Sequence, residues 1–408
     1  MNYSQEKHKS FDIVWYLSGD WDTDHRRQMI TSFAKNLDSN GKILCVNRPI
    51  CLLTGSFLKP KKFIQWVGGG LPLIKITKNL YVCTPFVFIH DQIARKLGRG
   101  LTFINRAALS FFLNKSIKKC GFDSEMRLAW VYNPWQIDYV GLVGEDGYIY
   151  ECYDDYRECR KSLFSKDEIL RYEQKLASEA LLVFNTARKL YERNIKNNPN
   201  NYYIPNGVNL ELFAESERKN KGKPSDLTNV KPPIIGFVGN IDPHLKVDCQ
   251  LIQELAVRNP SYSFVFLGKI VKSKETDSLF KMRNIHHLGF KIYEELRQYM
   301  SAFDIGIIPF KINKFSESLN PLKLYEFMAM GCPVISTDIP ELRRFSEFIS
   351  ICKDLDTFDG QLKKLISEDL TDLKNRLLNE AKNHSWDSRT GVMIKLIEER
   401  FINNEPRV

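Results

Sequence analysis

The sequence predicts an α/β protein built of two doubly wound parallel-sheet domains facing each other. Three observations carry that reading. Strand-like apolar runs alternate with helical periodicities in both halves of the chain. A charged, apolar-poor segment at 214–233 separates the halves and closes at Pro232-Pro233. The length, 408 residues, suits two domains of roughly 100–200 residues each. The division expected is a first domain at 1–213, a linker at 214–233 and a second domain at 234–385. A closing helix at 386–408 is expected to pack back on the first domain.

The elements follow in order. Phe11–Ser18 is a short apolar run and reads as a buried strand. A polar loop follows, Gly19 to His25, with Asp20, Asp22 and Asp24. Arg26–Asn40 has Met29, Phe33 and Leu37 at spacing four and reads as a helix, with the next strand at Ile43–Asn47. Residues 50–125 show no clear alternation. Strands are expected again at Leu128–Tyr132, Tyr148–Tyr153, Leu181–Asn185 and Tyr202–Val208, with helices near 166–180 and 187–194. In the second half, strands are expected at Ile234–Val238, Ser263–Leu267, Ile305–Pro309, Pro333–Thr337 and Ile349–Cys352. Helices are expected near 247–258, 293–303, 321–330, 355–367, 370–383 and 386–402.

Charge is unevenly distributed. The net charge is +10, from 59 basic and 49 acidic residues. Up to Pro205 there are 30 basic and 21 acidic residues, a net of +9, which leaves +1 for the rest. The densest stretch lies at 92–122, where Arg95, Lys96, Arg99, Arg106, Lys115, Lys118 and Lys119 occur with no acid. Leu101, Ile104, Ala108, Phe111 and Phe112 fall among them at helical spacing. An apolar stripe flanked by cations fits an anionic membrane surface, and it also fits a solvated basic face over a core helix. Nucleic acid is disfavoured, since no zinc-finger spacing, RNP-like aromatic pattern or basic zipper accompanies the charge. No run of about 18 apolar residues suggests a spanning helix, and the start is too polar for a secretion signal, so a cytoplasmic protein is expected. The nine cysteines are scattered without a CxxC, which argues against a zinc site or a disulfide framework.

Two segments carry chemistry. Ile235-Gly236-Phe237-Val238-Gly239-Asn240 is a strand ending in Gly, where a ligand can approach the backbone closely. It lacks the dinucleotide pattern, which disfavours a nicotinamide enzyme. The second runs from Asn320 through Pro321, Leu322, Lys323 and Glu326 to Gly331. Pro321 fits a helix start and Gly331 its end. The free N–H groups of that start suit a phosphate, and Lys323 in the first turn is locally unfavourable unless an anion is present. Glu326 lies one turn further on the same face, where a carboxylate can accept from two vicinal hydroxyls such as those of a ribose. By spacing alone the pair also fits a surface Lys–Glu contact.

The run from Asn320 to Leu342 resembles the signature segment of the GT-B glycosyltransferases, nearest to the family-4 group. Tyr203–Asn209, Gly236–Ile241, Phe264–Gly268 and Phe303–Phe310 agree in order and spacing, and Tyr150–Tyr156 resembles a Tyr-Asp-x-x-Asp-Asp stretch of bacterial relatives. The resemblance implies a GT-B fold, two Rossmann-like domains across a cleft. It implies a metal-independent hexosyltransferase moving a sugar from a nucleotide diphosphate to a glycan or lipid-linked saccharide in cell-surface polysaccharide synthesis. No cofactor beyond that donor is implied. By the same resemblance Glu326 holds the ribose, Leu322 and Lys323 cradle the phosphates, and Asn320 belongs to the donor segment. Gly239, Asn240 and Lys246 line the diphosphate side, and Gly268 and His287 lie near the base.

Two positions depart from the family pattern. Ser318 stands where a second Glu contacts the transferred sugar, with Glu317 one step away. Asn240 replaces an Arg, and Lys246 is displaced by one position. Lys311, Lys314 and Arg343 are candidates to compensate. Asp154 and Asp155 end a strand of the first domain and are candidates for the base that deprotonates the acceptor or for positioning it, with His25 reaching the donor. An Asp pair in that position is also common in turns. The competing readings are a non-catalytic nucleotide-sugar-binding subunit and a nucleotide-sugar epimerase of the same fold.

Overall fold

The strands of the first unit are apolar along nearly their whole length because both faces of the sheet are covered. The computed structural model describes residues 10–37, 41–51, 73–159, 163–213, 222 and 224–402. They fall into two compact units. One comprises Met1–Thr186, Leu190–Ile204 and Thr390–Val408, the other Ala187–Lys189 and Pro205–Arg389.

In chain order the strands of the first unit are β1 (Phe11–Tyr16), β2 (Ile43–Val46), β3 (Ile50–Cys51), β4 (Leu73–Lys75), β5 (Leu80–Cys83), β6 (Phe86–Val87), β7 (Met126–Val131), β8 (Gly147–Cys152), β9 (Leu182–Asn185) and β10 (Asn201–Tyr203). Eight of them form one sheet in the order β10-β9-β8-β7-β1-β2-β5-β4, and β3 pairs with β6 separately. Only β4 runs antiparallel to its neighbour in the large sheet. Strand order reverses between β1 and β7, the position where open α/β sheets bind ligands at their carboxyl ends. Trp15 of β1 stacks on Trp130 of β7 at 3.9 Å, and Phe33 packs edge-on against both.

The second unit contains β11 (Ile234–Val238), β12 (Ser263–Leu267), β13 (Ile285–His287), β14 (Ile305–Ile308), β15 (Val334–Thr337) and β16 (Ser350–Cys352). They form a parallel sheet in the order β13-β12-β11-β14-β15-β16, with its reversal between β11 and β14. Helices begin where the chain supplies caps. Asp248 accepts from the Leu251 N–H at 3.0 Å, and Asp354 from the Thr357 N–H at 2.8 Å.

Several elements differ from the sequence expectation. The strand expected at 202–208 ends at Tyr203, because Pro205 has no N–H to give the ladder. Residues 205–213, expected at the end of the first domain, pack in the second unit. There Val208 bridges Ser385, and Phe213 meets Tyr293 edge-on. Within 50–125 lie β5 and the helices Asp91–Leu97 and Arg99–Cys120, bracketed by Gly98 and Gly121 at positive φ. The short β13 and the helix Lys274–Leu279 also lacked a sequence signal. The segments 52–72, 214–221 and 223 lie outside the described residues, and with them part of the expected linker.

All nine cysteines are free thiols. Among the described residues no group of three or more His, Cys, Asp or Glu side chains is placed to hold a metal ion. No helix among them is long and apolar enough to cross a membrane.

Candidate active site

Three parallel strands of the second unit leave the sheet through glycines at positive φ. Gly239 follows β11, Gly268 follows β12 and Gly289 follows β13. Their backbones lie against one another. Gly239 N–H donates to the Leu267 carbonyl at 2.8 Å, and Gly268 N–H to Gly289 at 2.9 Å. A Cβ on Gly268 would overlap the Gly239 carbonyl, and one on Gly239 would stand 3.1 Å from Lys323 Nζ. The glycines therefore let these turns pack closely, forming a backbone-lined mouth beside the reversal of strand order.

The helix Leu322–Ala329 starts at this mouth. Pro321 precedes it with an extended backbone and no side-chain cap. Its first N–H groups, at Leu322 and Lys323, lack intrahelical acceptors. Lys323 is buried, and its ammonium lies 4.0 Å from the Phe237 ring centroid and 4.5 Å from that of Phe310. Among the described residues no oxygen hydrogen-bonds or ion-pairs with it. Burial pushes its pKa well down and Lys246 pushes further, while Glu326 opposes both. Lys246 shares the Phe310 ring at 5.6 Å. Two cations thus converge on aromatic faces where an anion would relieve both.

Glu326 is one turn further along and is also buried. Desolvation raises its carboxyl to a pKa of about 7, against the attraction of Lys323 and a hydrogen bond from the Tyr293 hydroxyl. Tyr293 carried no sequence signal. Ser318 and Asn320, just before the helix, are buried, and the Ser318 hydroxyl and the Asn320 side-chain oxygen have no hydrogen-bond partner among the described residues. Orphan polar groups of this kind invite ligand hydrogen bonds. The Asn320 side-chain N–H donates to Glu341 at 3.3 Å, and the Asn320 backbone carbonyl accepts from the Asn206 side chain at 2.6 Å. Glu317 is ion-paired with Lys189. His287 is exposed, bonded through Nε2 to the Gly268 carbonyl at 2.8 Å, and Asn240 is exposed.

Two of the three candidate compensating cations are engaged elsewhere. Lys311 donates to the Pro243 carbonyl at 2.7 Å, Arg343 pairs with Asp338 at 2.7 and 3.0 Å, and Lys314 is exposed.

The first unit places its candidates at the carboxyl ends of β1 and β8. His25 is exposed, with its ring edge-on to Tyr153 at 4.8 Å. Asp154 follows Tyr153 and is half-buried. Asp155 differs from its neighbour. It is buried, accepts from Arg157 at 2.9 and 2.6 Å, and lies 3.1 Å from Arg193. Its pKa is lowered, since the bonds and charges of Arg157 and Arg193 outweigh desolvation. It also caps the 3₁₀ turn Tyr156–Glu158. Beneath this edge Arg26 and Glu151, both almost fully buried, pair at 2.8 Å, and Trp130 Nε1 donates to the same carboxylate at 3.0 Å. Arg26 also lies under the Tyr153 ring at 4.8 Å. Nothing in the sequence flagged that pair, because each residue alone reads as an ordinary surface charge.

Comparison with known proteins agrees with this architecture. Residues 232–367 match the family described as Glycosyl transferases group 1. Over 146 residues the chain is 32% identical to a Bacillus subtilis (strain 168) protein provisionally named teichuronic acid biosynthesis glycosyltransferase TuaH. The match covers 35% of this chain and 36% of that relative. The fold is GT-B. Sucrose-phosphate synthase from Thermosynechococcus elongatus superposes with a TM-score of 0.70 at 13% identity, covering 97% of this chain and 100% of that one. HepE of Anabaena, solved with UDP and glucose, gives 0.63 at 13% identity, over 96% and 100%.

Proposed function

We propose that this protein is a glycosyltransferase that moves a sugar from a nucleotide diphosphate to a glycan or lipid-linked saccharide in cell-surface polysaccharide synthesis. The observation that carries the reading is the buried Lys323 ammonium, without an oxygen partner among the described residues, at the glycine-lined helix start one turn from Glu326. A diphosphate supplies the missing anion, and a ribose supplies the hydroxyls for the Glu326 carboxylate. At about 4 Å, opposite unit charges attract by roughly 4 kcal/mol near a protein surface, against about 1 in bulk water. The N–H groups of Leu322 and Lys323 add donors. Gly239, Asn240 and Lys246 line the diphosphate, and Gly268 and His287 border the base. Ser318 and Asn320 present their free oxygens to the donor.

In the transfer, the acceptor hydroxyl oxygen bonds to the anomeric carbon as the bond to the diphosphate oxygen breaks. The departing negative charge is met by Lys323, Lys246 and the helix start, so no metal is required in this scheme. The hydroxyl proton passes to Asp154 or to the leaving phosphate oxygen. Asp154 faces the acceptor, His25 reaches the donor, and Asp155 caps the turn that follows Asp154. The relative from Bacillus subtilis, named for teichuronic acid synthesis, supports a polysaccharide acceptor. The reading places the protein in the cytoplasm, peripheral to the membrane that carries a lipid-linked acceptor.

Thermal shift with nucleotide diphosphates tests the donor site, beginning with UDP. At about 100 times its dissociation constant a ligand stabilises by roughly 2.7 kcal/mol. Lys323→Met and Glu326→Ala are expected to weaken binding about tenfold or more. No shift in the wild type with any nucleotide diphosphate or nucleotide sugar would overturn the reading.

A further inference from the structure

The helix Arg99–Cys120 has two apolar sides, and only one is covered. Its inner side carries Leu109, Leu113, Ile117 and Cys120 into the core of the first unit. Its outer side begins with Phe103, 71% exposed, and Ile104, and reaches Phe111, 65% exposed, two turns later. Exposed Lys115, Lys118 and Lys119 continue the same side. The spacing from 104 through 111, 115 and 118 is that of one helix face. At 1.5 Å per residue the apolar part spans about 12 Å and the cationic part about 12 Å more. An outer face normally carries polar groups.

The neighbouring segments extend the apolar part. Leu97, on the preceding helix, is 65% exposed. Asn105 accepts from the Phe88 N–H at 3.1 Å, which holds exposed Phe88 against this helix. The basic residues divide between two roles. Arg95, on the preceding helix, pairs with Asp138, and Arg106 donates to the carbonyls of Asp138 and Val140, so these two fasten the two helices to their own unit. None of Lys115, Lys118 and Lys119 has a carboxylate partner among the described residues, and no acid occurs at 92–122.

We propose that this face is a membrane-docking surface that inserts Phe103, Ile104 and Phe111 into an anionic lipid interface, with Lys115, Lys118 and Lys119 on the head groups. Charge decides the occupant. A second copy of this face would bring the same cations and no acid, whereas anionic lipid complements both parts. Nucleic acid would satisfy the lysines and leave the phenylalanines in water. The inference gives the proposed acceptor reading a physical surface, yet it stands on the helix alone and is tested without nucleotide.

The experiment is flotation of the full chain with phosphatidylcholine vesicles, with and without phosphatidylglycerol. The wild type is expected to float with the anionic vesicles only, and to lose binding as salt rises from about 0.1 to 0.5 M. The double variant Phe103→Ser/Phe111→Ser should bind about tenfold or more weakly. Lys115→Glu/Lys118→Glu/Lys119→Glu should lose the preference for anionic lipid. Both variants should keep the circular dichroism spectrum and melting temperature of the wild type, which separates docking from folding. Absence of wild-type flotation would overturn the proposal, as would unchanged flotation of either variant. Self-association abolished by the phenylalanine variant, without vesicle binding, would assign the face to a dimer instead. Failure of donor binding would leave the flotation result standing.

Discussion

At the scale of single residues, Lys323 and Glu326 are held in a state that a ligand would relax. Both are buried, and each is pushed toward its neutral form by desolvation. Glu326 has a folded pKa of about 7, above the ordinary carboxyl value of 4.5. The folded state therefore binds this proton more tightly than the unfolded chain. The associated stability is full below about 4.5 and is lost as pH rises through about 7, with an upper bound on the order of 3 kcal/mol. Glu173, also raised to about 7, contributes a parallel slope elsewhere. In Glu326→Gln the Glu326 part of the slope should vanish while that of Glu173 remains. Melting temperatures of wild type and variant from pH 4.5 to 8, without nucleotide, check this. Parallel curves would place the Glu326 pKa near its ordinary value. Lys323 and Glu326 were legible in the sequence because a Pro-started, Gly-ended helix fixes their turn. Tyr293 was not, since its bond to Glu326 joins helices far apart in the chain.

At the scale of elements, the strand ends decide the shape of the site. Gly268 combines φ +143° with a Gly239 carbonyl where a Cβ would sit. Gly268→Ala should cost about 2 kcal/mol or more, since backbone must move. Gly360, in the helix Leu355–Ser367, meets nothing within 4 Å. Gly360→Ala should instead stabilise by about 0.5–1 kcal/mol. Urea midpoints of the two variants measure the contrast. The strands β11, β12, β14 and β15 were readable because a strand buried on both faces is one apolar run. The short β13, with two histidines among its three residues, has no such run and exists through its pairing with β12. Residues 50–125 resisted reading for a related reason. The helix Arg99–Cys120 is apolar on both sides, so periodicity could not tell its inner face from its outer one.

At the scale of the whole molecule, the last helix matters most. Trp386–Ile402 begins among residues of the second unit and ends among those of the first. Within the first unit, Thr390 lies 3.1 Å from Ser32 Oγ and accepts from Asn36 at 2.9 Å. Met393, Ile394 and Ile397 are buried. Ending the chain after Arg389 removes those side chains, each worth about 1.5–3 kcal/mol when fully buried. The first unit should then show amide hydrogen exchange at least a hundredfold faster in β1 and β7, with the second unit near its wild-type protection. Equal protection in both units would show that the helix is dispensable to the first.

The sequence by itself determined the α/β class, the parallel strands of the second unit, the helix carrying Lys323 and Glu326, and the asymmetry of charge. These are local properties, written in periodicity, caps and composition. Only the tertiary structure decided that Asp155 is committed to Arg193. It also decided that Glu317 goes to Lys189, and that Arg26 and Glu151 meet beneath the edge of the first sheet. Each depends on which distant side chain fills the remaining coordination of a buried charge. Strand order and packing settle that, and spacing along the chain does not encode it.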